Sequence, residues 1–337
     1  MSKKVQTGMF HTDSAVSING VTKIFTQWQR ENTGKSVIKN LLKPEKRVIT
    51  ALDNVSFEIG KGEFVAYAGP NGAGKSTTMK LLSGMLVPTS GEISVLSMPA
   101  QKQRQALMNQ IGVLFGNRTE LWWDHPVIQS FEWKKVVWDI PENVYRNNLE
   151  MVTEILDISG ILKTFARELS LGQRMRADLA MMLLHSPSLI LLDEPTLGLD
   201  VVAKRQMIEF LKKINREKGV TIIVTSHDMD DLEEMAERIL MISEGKIAYD
   251  GDFYGLRKVT GSLTRITVTN DNKAIPNLGK ARLLSSDNNV HEFEIDLVKT
   301  PVKMLMRTLS DFDGVCDVEI KKAPIEQVIA KLYESWK

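Results

Sequence analysis

The sequence predicts an α/β fold: a parallel sheet covered by helices on both faces, followed by a small α+β domain. Three observations carry that prediction. Continuous apolar runs at 111–115, 189–192 and 220–225 are separated by helical stretches, the pattern of strands buried on both faces. A glycine-rich loop, Gly69-Pro70-Asn71-Gly72-Ala73-Gly74-Lys75-Ser76, sits between a strand and a helix. Around Thr260 the continuous runs give way to alternating ones, as expected of antiparallel strands.

Taken in order, residues 17–25 alternate in character and predict a strand. The stretch 27–47 breaks that pattern. It carries Arg30, Lys35, Lys39, Lys43, Lys46 and Arg47 against Glu31 and Glu45; Val37, Ile38, Leu41 and Leu42 share one helical face, and Pro44 stops the run. Strand signals resume at 51–59, and a Gly60-Lys61-Gly62 turn leads to an apolar strand over 63–68 that feeds the glycine-rich loop. A helix is expected over 76–85, and 118–168 reads as mostly helical and rich in tryptophan. A helix over 202–217 separates the last two apolar strands. Beyond 260, strands are expected at 263–269, 291–297 and 315–320, with helices at 301–310 and 325–336. The expected organisation is a tail (1–14), a nucleotide-binding domain (15–258) and an accessory domain (259–337). The nucleotide-binding domain includes the basic insertion 27–47 and a helical subdomain 116–180.

Of 337 residues, 43% are hydrophobic and 25% charged, an ordinary globular composition. Lys+Arg 43 against Asp+Glu 42 leaves a net charge of +1, which offers no argument for a nucleic-acid partner. The single cysteine, Cys316, cannot form an internal disulfide, so a reducing compartment is expected. The first residues lack the apolar core of a secretory signal, and no apolar run approaches the roughly 20 residues that span a bilayer. Any membrane role is therefore expected to act from the surface, through a partner.

The loop from Gly69 to Ser76 meets the full context of a Walker A motif. Its glycines let backbone N–H groups wrap phosphates, and the following helix N-terminus adds partial positive charge. Lys75 is expected on the β- and γ-phosphates of ATP, Ser76 on Mg2+, and Thr77 near the α-phosphate. Asp193 ends an apolar strand and fits the acid that holds Mg2+ through water. Glu194 fits the group that polarises the attacking water, which favours hydrolysis over binding alone.

GPNGAGKST, LSLGQ, LLDEPTLGLD and TSHD, in this order, resemble the ATP-binding subunit of an ABC transporter over about 15–255. The resemblance implies a RecA-like P-loop NTPase core with an antiparallel β subdomain and an α-helical subdomain. It implies that LSLGQ acts in trans, with Ser170, Gly172 and Gln173 binding the γ-phosphate held by a second copy, again at a helix N-terminus. By the same resemblance Asp200 belongs to a loop coupling the two sites, and His227 is a switch histidine on the γ-phosphate. Where the family uses a glutamine on Mg2+ and the attacking water, this chain has Asn117, whose amide has about 1.5 Å less reach. The family stacks adenine on an aromatic at the end of the first strand. Phe25 is the candidate and Trp28 the second; a plain core role for Phe25 is the competing reading.

Trp122, Trp123, Trp133 and Trp138 follow Asn117. In the family this region receives a short helix of the membrane subunit, and tryptophan suits such interfaces; a core-filling role is the alternative. The insertion resembles one in polysaccharide-exporter ATPases, where an amphipathic helix lies near the membrane; a solvated loop is the alternative. The stretch 321–329 resembles the close of daunorubicin-resistance-type exporter ATPases, where it belongs to an accessory module for dimer contact or regulation; a bare α+β packing domain is the alternative. The implied function is ATP binding and hydrolysis that power an exporter through dimer closure. The implied partners are a second copy of the chain and integral membrane permease subunits, at the cytoplasmic face of the cell membrane. An importer ATPase, or a soluble ABC ATPase uncoupled from transport, are the alternatives.

Overall fold

A computed structural model of the chain describes residues 14–28, 46–115, 119–259, 263–271, 274–296 and 300–322. It divides into two compact units, Met1–Asp250 and Gly251–Lys337. The division falls within strand β10 (Lys246–Asp252), earlier than the change of pattern near Thr260 suggests.

The first unit holds two sheets. The antiparallel one has the order β2-β1-β4-β5 and comprises β1 (Ser14–Trp28), β2 (Lys46–Gly60), β4 (Ser90–Val95) and β5 (Met98–Pro99). β1 and β2 pair from Ser14 and Gly60 at one end to Trp28 and Lys46 at the other. Both strands thus run further than their alternation predicts, and the basic insertion, residues 29–45, lies outside the described residues. Val16, Ile18, Val21, Leu52, Val55 and Ile59 from this sheet share one buried core with Val65, Tyr67, Leu191 and Leu240 from the second sheet.

That second sheet has the order β10-β9-β3-β8-β7-β6. Its members are β3 (Phe64–Ala68), β6 (Ile111–Phe115), β7 (Leu189–Asp193), β8 (Thr221–Thr225), β9 (Arg238–Ser243) and β10. The pairs β6–β7, β7–β8, β8–β3 and β3–β9 are all parallel. Every residue of β3 and β8 is buried, which is why they read as unbroken apolar runs. β8 lies between β3 and β7, so the loops leaving β3 and β7 emerge at the same end of the sheet, on either side of β8. In open α/β sheets that end is where ligands bind. The register aligns Phe115, Asp193 and Thr225 across three strands.

Helix α1 (Lys75–Leu82) follows β3, and α2 (Arg104–Met108) precedes β6. α1 stops short of the expected end at 85. Gly84 has φ +68° and a Cβ there would sit 2.6 Å from Ala100 O, so the chain must turn. α3 (Val127–Val137), α4 (Glu142–Ile155) and α5 (Leu171–Leu183) form the helical region. Within the span 118–168, which is mostly helical as expected, residues 119–126 are not. Their backbone is held by side chains instead: Glu120 N donates to Asp178 Oδ1 (3.1 Å) and Trp122 N to Ser130 Oγ (3.0 Å). α6 (Val201–Lys218) is capped by Asp200 and closed by Gly219 at φ 64°; Met207, Ile208, Phe210, Leu211 and Ile214 form its buried stripe. α7 (Met229–Met235) completes the unit.

The second unit contains α8 (Phe253–Val259), β11 (Leu263–Asn270), β12 (Arg282–Asp287), β13 (Val290–Asp296), α9 (Val302–Ser310) and β14 (Val315–Lys322). Its sheet is antiparallel in the order β12-β13-β11-β14. Ile266, Val268, Phe293 and Ile295 pack with Leu305 and Leu309 of α9. The helix expected at 325–336 lies outside the described residues.

Candidate active site

The phosphate loop leaves β3 under tight steric constraint. A Cβ on Gly69 would lie 2.2 Å from Ile242 O, and one on Gly74, at φ +115°, would lie 2.7 Å from Ala51 O. Gly72 is different. Its φ of +80° calls for glycine, yet the space around it is open, with no atom within 4 Å of the Cβ position. Ala73 N donates to Pro70 O (3.1 Å), closing the turn before α1. Lys75 is buried, and its ammonium donates to Gly69 O (2.6 Å) and Pro70 O (3.2 Å). Burial pushes its pKa down, and the carboxylates of Glu194 and Asp193 oppose that shift. Both acids therefore act electrostatically on the loop. At the base of α1, Thr78 Oγ1 donates to Gly74 O (3.1 Å) and lies 3.0 Å from Tyr67 Oη, locking helix to strand.

Asp193 and Glu194 are organised by a residue that sequence reasoning missed, Thr225. Its hydroxyl donates to Asp193 Oδ1 (2.6 Å) and accepts from Glu194 N (3.1 Å), while Thr225 O also accepts from Glu194 N (3.0 Å). A β-branched residue at the end of a buried strand carries no signal of such a role. Glu194 has φ 58°, the left-handed region, which turns its side chain out of the strand direction. His227 Nε2 lies 2.6 Å from Glu194 Oε1. A hydrogen bond that orients a carboxylate and a histidine toward each other is the arrangement a general base needs.

Ser76 and Asp193 line one cleft of about 460 Å3 beside the edge strand β6. A larger cavity, about 550 Å3, is lined by Gln110, Ser188 and Thr221 at the opposite ends of β6, β7 and β8, and holds none of the expected site residues. The smaller cleft runs along β6 and reaches the carboxyl end of β7 at Asp193, the end of an open α/β sheet at which ligands bind. Ser76 offers a hydroxyl and Asp193 a carboxylate, hard oxygen donors suited to Mg2+. Among the described residues there is no group of three or more His, Cys, Asp or Glu able to hold a metal unaided. Two oxygen donors fit an ion that keeps most of its ligands from nucleotide phosphates and water.

Ser170, Gly172, Gln173 and Asp200 form a second cluster, and no hydrogen bond or ion pair among the described residues joins it to the phosphate loop. Ser170 caps α5 with a full capping box: Gln173 N donates to Ser170 Oγ (3.3 Å) and Ser170 N to Gln173 Oε1 (2.9 Å). Asp200 caps α6 through Ala203 N (2.8 Å). The two helix starts adjoin, since a Cβ on Gly198 would meet Leu171 Cδ2 at 2.8 Å and one on Gly172 would meet Ala203 Cβ at 3.4 Å. Leu171, Leu197, Val201 and Val202 are exposed apolar side chains around this cluster. Phe25 is half-buried, with Lys23 Nζ 5.1 Å from its ring centre, and pairs across the sheet with Ile49, two residues before Ala51, whose carbonyl abuts Gly74. Asn117 and the side chain of Trp28 lie outside the described residues. Trp122, Trp123 and Trp133 are exposed, Trp123 by half.

The profile of a family described as "ABC transporter" matches residues 52–197. The chain is 30% identical over 275 residues to the uncharacterized ABC transporter ATP-binding protein YhcH of Bacillus subtilis, covering 82% of this chain and 86% of that protein. It is 31% identical over 221 residues to the methionine import ATP-binding protein MetN of Carboxydothermus hydrogenoformans, covering 64% of this chain and 65% of that one. Among solved structures, cbiO1 from Clostridium perfringens, part of the ABC transporter complex cbiONQ, superposes with a TM-score of 0.60 at 25% identity. That match covers 74% of this chain and 93% of cbiO1.

Proposed function

The chain belongs to the ATP-binding proteins of ABC transporters, ATP-hydrolysing subunits, and on that premise we propose that it powers an exporter as a homodimer. In this reading the backbone of Gly69 to Gly74 and the ammonium of Lys75 hold the phosphates, with Thr77 near the α-phosphate. Ser76 and Asp193 bind Mg2+, which neutralises charge on the phosphoryl group when bound. Glu194 orients the attacking water and His227 senses the γ-phosphate. Asn117 supplies an amide near the metal, and Phe25 lies under the adenine. The observation that carries hydrolysis is the 2.6 Å contact between His227 Nε2 and Glu194 Oε1, with Glu194 N anchored on Thr225.

The second cluster supports a site shared between two copies. Ser170, Gly172 and Gln173 stand at a helix N-terminus ringed by exposed apolar side chains and apart from the phosphate loop of their own chain. A second copy, docked head to tail, brings them to its γ-phosphate, with Asp200 at the seam. ATP then acts as a ligand with higher affinity for the closed dimer than for the open one, and hydrolysis releases closure. The exposed tryptophans are the docking patch for integral permease subunits, which place the chain at the cytoplasmic face of the membrane. No helix among the described residues is long and apolar enough to cross a bilayer itself. The domain plan, 15–258 for the motor and 259–337 for an accessory module, is part of this proposal. Export rests on the insertion 27–47, the tryptophan segment and the C-terminal ending. The methionine import relative favours a second reading, import, and the direction of ATP-driven flux in vesicles holding the chain with its permease separates the two.

The test of the shared site is Glu194→Gln. With ATP and Mg2+ this variant elutes as a stable dimer in gel filtration, while the wild type returns to monomer as ATP is consumed. A variant that stays monomeric at saturating ATP overturns the shared site.

A further inference from the structure

The segment from Thr119 to His125 is fastened, step by step, to the stretch that ends in the helix bearing Ser170. Thr119 Oγ1 donates to Asp178 Oδ1 (2.9 Å), and Glu120 N donates to the same oxygen (3.1 Å). One turn earlier on α5, the Arg174 guanidinium lies 4.6 Å from the Trp123 ring centre. Arg167 N donates to Trp123 O (3.1 Å) and Ala166 N to His125 O (3.0 Å). The two stretches run in opposite directions, like a zipper. The exposed Trp122 and Trp123 lie within it, and Thr119 marks one end.

Asp178 is the costly member. It is a buried carboxylate on a helix interior, 7% exposed, and burial raises its pKa to about 6. Arg174 and Glu120 are the charged groups whose fields reach it, Arg174 lowering and Glu120 raising the pKa; Lys134, 3.0 Å from Glu120, neutralises the latter. A buried carboxylate at a position where alanine would suffice for a helix calls for a reason. The tie to Thr119 and Glu120 supplies one.

We propose that Asp178, with Arg174 beside it, is a positioning residue that ties the tryptophan segment to α5, so that a load on the docking patch moves Ser170 and Gly172 relative to the partner's nucleotide. The proposal rests on the shared-site reading above. It places the mechanical link on the half-site that acts in trans: the tryptophan patch and the Ser170 helix start move as one piece.

The test uses the full chain with Glu194→Gln as background, reading nucleotide binding to the monomer separately from ATP-driven dimerisation. Asp178→Ala is expected to leave binding of a fluorescent ATP analogue within about twofold. It should raise the ATP concentration for half-dimerisation by about tenfold or more, the scale of losing hydrogen bonds to a charged group. Asp178→Asn keeps the accepting oxygen and restores dimerisation to within about threefold. Thr119→Val, which removes the bond to Asp178 (2.9 Å) and the one its hydroxyl accepts from Leu121 N (3.1 Å) with almost no change of shape, gives an intermediate shift and serves should Asp178→Ala fold poorly. If Glu194→Gln alone does not dimerise, the shared site fails and the link falls with it. If Glu194→Gln dimerises and both Asp178→Ala and Thr119→Val dimerise equally well, the shared site stands and the link is wrong. Binding and dimerisation lost together, without rescue by Asp178→Asn, also overturns the link, because a general loss of folding then explains both.

Discussion

Replacing His185 with glutamine should remove a loss of stability that acid imposes on the first unit. His185 follows α5 and its Nε2 donates to Ile111 O (3.0 Å) on the edge strand. Its Nδ1 is buried with no hydrogen-bond partner among the described residues. Burial, then repulsion from Lys134, lowers its pKa from 6.5 to about 4. The unfolded chain therefore binds the proton more readily, and the histidine withdraws stability as pH falls below 6.5. Asp178 does the opposite. Its pKa is raised from 3.8 to about 6, so the folded chain takes up the proton first and gains stability as pH falls from about 6 toward 3.8. Integrated from about pH 7.5 to about pH 4.5, the histidine costs about 2 to 3 kcal/mol and the aspartate returns about 2 kcal/mol, so the two nearly cancel. His185→Gln keeps a donor for Ile111 O and cannot titrate. The measurement is urea unfolding by tryptophan fluorescence at a series of pH values, four of the six tryptophans lying at 122, 123, 133 and 138. The gap between variant and wild type should widen by about 2 to 3 kcal/mol in favour of the variant at the acid end. Parallel curves for the two proteins would refute the reasoning, because every other titrating group is common to both.

Two further substitutions probe the site. Thr225→Val removes the hydroxyl that holds Asp193 and Glu194 while keeping the shape of β8; turnover should fall about tenfold or more and nucleotide affinity change little, as the loss of a hydrogen bond to a carboxylate implies. Steady-state hydrolysis set against equilibrium binding checks this, and equal losses in both would contradict it. Gly69→Ala drives a methyl group into Ile242 O and should cost about 3 kcal/mol or more, with loss of ATP binding. A melting temperature equal to that of the wild type would show that the loop is less constrained than its geometry.

What was legible in the sequence follows from what each residue is ordered by. β3, β6, β7 and β8 were placed to within a residue, because strands buried on both faces must be continuously apolar. β12 gave no signal, since all six of its residues are exposed and nothing enforces an alternation. Within the span 118–168, which reads as mostly helical, the stretch 119–126 is not helix, because its backbone is held by Asp178, far off in the chain, and by Ser130, and not by periodicity. In the site, the glycines and Lys75 announce themselves through a loop geometry that few other residues satisfy. Thr225 and Asp178 do not, since a threonine ending a strand and an aspartate inside a helix acquire meaning only from the neighbours the fold brings to them.

With Glu194 in the role proposed above, its left-handed backbone sets stability and turnover against each other at a single position. An ordinary side chain held at φ 58° costs about 1 kcal/mol that glycine would not incur. Glycine there should give a sturdier chain that binds ATP and cannot release it by hydrolysis. A selection for heat resistance alone would thus be drawn toward an inactive motor. Any thermostabilised version of this chain needs to be screened for turnover at that residue before its melting temperature is taken as an improvement.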